Sequence, residues 1–73
     1  MKLVFSATGK PCIIKNFTLE SDEISRLWEL GVTENSVIEA IKVFAGGTVL
    51  VRCGGALIAL GKRVAEGIIV EYV

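Results

Sequence analysis

Cys12 and Cys53 are the two side chains whose chemistry is least ordinary, because a thiolate can act as a nucleophile or as a soft metal ligand. Forty residues lie between them, which excludes a CxxC pair and any zinc-ribbon spacing. A cysteine nucleophile also needs an activating base, and the chain has no histidine, the commonest general base and a frequent metal ligand. No GxSxG, HExxH, P-loop or dinucleotide-binding fingerprint occurs. The residues therefore predict no catalytic site and no enzyme. One metal arrangement stays open: Cys12 and Cys53 meeting across a closed barrel, with a carboxylate completing the set. The favoured reading is structural, since a free cysteine in or beside a strand serves as a small buried hydrophobe. Two cysteines are also too few for the disulfide framework of a secreted mini-protein.

The other conspicuous group is Trp28 with Leu30 and Val32. Ile24, Leu27 and Trp28 stand at i, i+3 and i+4, the spacing of one helix face. Ser21 is the expected N-cap, with Asp22 and Glu23 in the first turn, where the helix dipole favours anions. Gly31 is placed to end the helix in a left-handed conformation. The helix is short, below the ~12–15 residues that hold alone, so it must pack on a sheet. That packing predicts Trp28 as core or as a lid over one end of a barrel. The alternative is an exposed partner anchor, a role in which tryptophan is enriched.

The remaining elements are strands. Residues 11–17 form the first, entered through Gly9 and Pro11. A meander follows, with runs over 37–44, 48–53 and 56–60 separated by Gly46-Gly47 and Gly54-Gly55, pairs suited to tight hairpins. Residues 61–67 read as one helical turn and 68–73 as the last strand. The predicted architecture is mainly β: a small SH3-like five-stranded barrel over residues 1–73. One short helix follows the first strand, a helical turn precedes the last, and pairing of first with last closes the sheet. Regular alternation puts Val37, Ile41 and Val43 on one face and Ile38, Ala40 and Phe44 on the other. Both faces are then apolar, and one should lie against a second copy or a partner unless a bulge shifts the register.

Bulk composition agrees. Seventy-three residues suit one domain, and 52% are hydrophobic, rich in the branched Val and Ile that favour strands. Eight basic residues balance eight acidic ones, and the basic ones are scattered, which argues against nucleic acid or anionic lipid as a partner. Every long apolar run is broken well short of a membrane span, and the N-terminus lacks the make-up of a signal peptide. The expected location is the cytoplasm, with any membrane role exercised through an integral partner.

Arg26-Leu27-Trp28-Glu29-Leu30-Gly31-Val32 resembles the R-L-x-x-L-G-[LM] segment of the FeoA family. Ile58-Ala59-Leu60 followed by Ala65, Ile68 and Val70 is similar to that family's closing pattern, and Leu3, Ala7 and Gly9 fall where its N-terminal segment lies. The chain departs from the pattern in its turns. Glu34-Asn35 replaces Pro-Gly, Gly61 replaces an Arg, and Phe44-Ala45-Gly46-Gly47 replaces an Ala-Pro-Leu type loop. The resemblance implies an SH3-like cytoplasmic accessory protein of ferrous iron uptake. Its implied partner is FeoB, a membrane transporter with a cytoplasmic GTP-binding domain, beside whose membrane the protein would sit. No cofactor is required by this reading, although ferrous iron or another divalent metal fits the family's business. Trp28, Leu30 and Val32 are the expected docking residues, and Cys12 and Cys53 the only candidates for direct iron carriage. The rival reading is a metal-responsive domain like the SH3-like C-terminal domain of iron-dependent repressors. Homo-oligomers are compatible with either.

Overall fold

The computed structural model describes residues 1–73. A 3-10 turn over Leu3–Phe5 precedes strand β1 (Pro11–Phe17), helix α1 (Ser21–Glu29), and strands β2 (Val37–Val43), β3 (Val49–Cys53) and β4 (Ala56–Leu60). Helix α2 (Lys62–Glu66) and strand β5 (Ile68–Tyr72) complete the chain. The five strands form one antiparallel sheet in the order β4-β3-β2-β1-β5.

The expected closure of a barrel is only half realised. β1 does pair with β5, but β4 and β5 remain the two edges of an open sheet. Between those strands the chain forms α2, which turns Ala65 into the core in place of a β4–β5 ladder. The β5 edge is nevertheless covered. The Val70 amide donates to the Met1 carbonyl at 2.7 Å, the Met1 ammonium donates to the Val70 carbonyl at 3.2 Å, and Lys2 bridges Ile69. This tie continues into the 3-10 turn, where Leu3 is fully buried and the Ser6 hydroxyl donates to its carbonyl at 2.7 Å.

Strand alternation sets the core. Cys12 and Ile14 from β1, Ile38 and Ala40 from β2, Val49, Val51 and Cys53 from β3, and Ile68 and Val70 from β5 turn inward onto Leu3, Leu27 and Val32. In β2 the alternation breaks, because the β2–β3 register shifts between Ala40 and Lys42. Val43 therefore sits opposite the buried Val49 rather than on the face of Val37, and the expected single face of Val37, Ile41 and Val43 does not exist.

The two Gly-Gly links also differ. Gly54 and Gly55, at φ +59° and +83°, form a two-residue hairpin between the paired Cys53 and Ala56, as the spacing predicts. At the other link the turn is longer. The Gly47 amide donates to the Phe44 carbonyl, the Phe44 amide donates to the Thr48 carbonyl, and Gly47 alone takes a positive φ.

Candidate functional site

Helix α1 sets the geometry of the candidate docking residues. Its N-cap is Glu20 rather than Ser21, and Glu20 and Glu23 form a reciprocal capping box. At the other end, the Val32 amide donates to the Leu27 carbonyl at 2.8 Å and the Gly31 amide to the Trp28 carbonyl at 3.0 Å, with Gly31 at φ +87°. These two bonds make a Schellman motif, in which the residue after the glycine packs on the one five positions earlier. Leu27 and Val32 are that pair, and both are buried.

The three expected docking residues therefore separate. Val32 is fully buried, because the motif folds it under the helix end, so it is a core residue and offers no side chain to a partner. Trp28 and Leu30 are each 52% exposed. The core reading of Trp28 gives way to the surface one, since a nine-residue helix lays only Leu27 fully on the sheet and leaves Ile24 half-buried. The Trp28 indole N–H donates to a Glu34 carboxylate oxygen at 3.3 Å, which orients the ring.

Leu30 also lines a shallow cavity of about 190 Å³ between α1, the end of β4 and α2. Leu27, Ala59, Leu60 and Val64 supply its apolar lining, and Glu23 and Arg26 stand at its rim. Glu23 is held by Arg63 at 3.2 Å, while Arg26 makes no ion pair. Sequence reasoning missed this cavity because β4 and α1 are distant in the chain and no local pattern joins them.

Cys12 and Cys53 stand in one cross-strand row, Cys12 opposite Ile38 and Ile38 opposite Cys53. Two strand spacings put their Cα atoms roughly 10 Å apart, beyond the ~7 Å limit for a disulfide. Both thiols are free and buried, and burial pushes both pKa values up, which keeps them protonated. Their neighbours are carbonyl oxygens, Lys10 at 3.6 Å and Gly31 at 3.8 Å. No group of three His, Cys, Asp or Glu side chains gathers anywhere to hold a metal ion, and the two thiols do not fit such a site.

An open antiparallel sheet with a helix after the first strand and a second short helix before the last defines a small SH3-like domain. The FeoA domain model matches residues 1–72, so the chain belongs to the FeoA family, a family of small accessory domains linked to ferrous iron transport. The solution structure of FeoA from Chlorobium tepidum superposes with a TM-score of 0.92 at 26% identity, covering all of this chain and 70% of that one. FeoA of Stenotrophomonas maltophilia, a prokaryotic SH3 domain protein solved with zinc, gives a TM-score of 0.80 at 22% identity over 97% of this chain and 89% of that one. A manganese-dependent transcriptional repressor shares the fold at a TM-score of 0.91 and 16% identity, over all of this chain and 41% of the repressor. A comparison with curated protein sequences finds no match. No helix is long and apolar enough to cross a membrane.

Proposed function

We propose that this chain is an accessory domain of ferrous iron uptake that docks on the cytoplasmic region of a FeoB-type membrane transporter. The observation that carries this reading is the pair Trp28 and Leu30. Two large apolar side chains stand half exposed at a helix end that a Schellman motif holds rigid. Exposed aromatic and aliphatic anchors on a rigid element lose little entropy on binding, which makes them good candidates for interface hot spots. Membership of a family linked to ferrous iron transport is consistent with that partner class. The absence of a gathered ligand set supports a role in controlling the transporter rather than in carrying the ion through Cys12 or Cys53.

A pulldown of the purified protein against detergent-solubilised FeoB, with and without ferrous ion and guanine nucleotide, tests the proposal. Retention that Trp28→Ala and Leu30→Ala together abolish supports it; equal retention by the double variant refutes the site.

The repressor likeness favours a second reading, a metal-responsive regulatory domain. That reading predicts that ferrous or manganous ion alone changes the protein's oligomeric state or spectrum in the absence of any transporter.

A further inference from the structure

The two sheet edges are treated differently. Residues Met1 and Lys2 cover β5, whereas nothing in the chain covers β4. Natural edge strands are normally blunted by a charge, a proline or a bulge. β4 reads Ala-Leu-Ile-Ala-Leu, with none of the three, in unbroken register with β3.

The register also says which backbone groups are free. Cys53 and Ala56 flank a two-residue turn and so form a hydrogen-bonded pair. Alternation then makes Leu57 and Ala59 the positions whose N–H and C=O point away from β3. Neither takes part in any backbone hydrogen bond outside the ladder, and both are exposed, Leu57 at 60%. A row of paired donors and acceptors at strand spacing is complementary to another extended strand and to no other shape.

We propose that β4 accepts an extended segment of the partner as a sixth strand. This rests on the docking reading above and specifies it. Ala59 borders the same cavity as Leu30, so a segment laid along β4 can place one apolar side chain among Leu27, Leu30, Leu60 and Val64. Beside that anchor the unpaired Arg26 calls for a carboxylate, because Glu23 at the same rim is already engaged by Arg63. The segment's chemistry is thus extended and apolar, with one acidic residue near its anchor. A second copy of this chain is the poorer occupant. Its own β4 carries no acidic residue to meet Arg26, and one five-residue edge against another covers far less than the ~1,200–2,000 Å² of a stable interface.

The test titrates the cytoplasmic region of the FeoB-type transporter into the wild-type chain, Ala59→Pro and Arg26→Glu, while amide hydrogen exchange is followed in the wild type. Proline at 59 removes an outward donor without touching the β3–β4 ladder. The expected result is protection of the Leu57 and Ala59 amides on binding, with affinity lowered ~10-fold or more in both variants. Binding that leaves those amides unprotected overturns strand addition but leaves docking intact, and this readout holds even if Ala59→Pro fails to fold. Absence of wild-type binding overturns both. Protection that rises with the chain's own concentration, without transporter, overturns the proposed partner in favour of self-pairing.

Discussion

Leu27 and Trp28 are neighbours in the chain with opposite duties. Leu27 is sealed between helix and sheet, so Leu27→Ala opens a cavity and should cost about 2–5 kcal/mol in urea denaturation. Trp28→Ala and Leu30→Ala remove half-exposed side chains and should each change stability by less than about 1 kcal/mol in the same measurement. If Trp28→Ala were as damaging as Leu27→Ala, the ring would be part of the scaffold and not an anchor. The cysteines give a second test. Burial raises the pKa of both thiols above the ordinary cysteine value, so the fold favours the protonated form. A raised folded-state pKa contributes stability that is full below the unfolded-state pKa and declines as pH climbs from there through the folded value. The denaturation midpoint should therefore fall above about pH 9, and a Cys12→Ala, Cys53→Ala double variant should lose that fall. Sequence types and spacing were enough to favour buried thiols. They did not separate Trp28 from Leu27, because an i, i+3, i+4 stripe states which residues share a helix face and not how wide the surface beneath it is.

The elements were largely legible. β1 and β4 begin and end where periodicity and glycine punctuation put them, because Pro11, Gly55 and Gly61 are physical stops. The 3-10 turn was not legible, since Leu3-Val4-Phe5 has no period and gains its shape from the tie to β5 and the burial of Leu3. Val32 was misjudged for a related reason: a Schellman motif is completed by tertiary packing, which no local signal reports. That motif supplies a prediction. Gly31 stands in open space at φ +87°, so Gly31→Ala meets no neighbour and should cost about 1–2 kcal/mol through backbone strain alone. Gly67 is the opposite case. Its φ of −94° is ordinary, but an added Cβ would run into the Leu19 side chain, so Gly67→Ala should cost about 1–3 kcal/mol by overpacking. Replacing Leu19 by Ala as well should recover part of that loss in a double-mutant cycle.

For the whole molecule, the instructive departure is the open sheet. Composition and strand count pointed to closure, which is the usual way to remove edges. The chain instead hides one edge under its first two residues and leaves the other bare beside an apolar cavity and a free arginine. Trp28 and Leu30 stand half exposed on a domain of the FeoA family, and the proposed docking role joins those two observations. The most direct test is calorimetric titration of the FeoB-type cytoplasmic region into the wild-type protein and into a Trp28→Ala, Leu30→Ala double variant shown by circular dichroism to be folded. The wild type should give a saturable isotherm and the double variant a loss of roughly 30-fold or more in affinity, as expected when a hot-spot pair worth ~2 kcal/mol or more is removed. Identical isotherms for the two proteins, or no heat with the wild type, would contradict it.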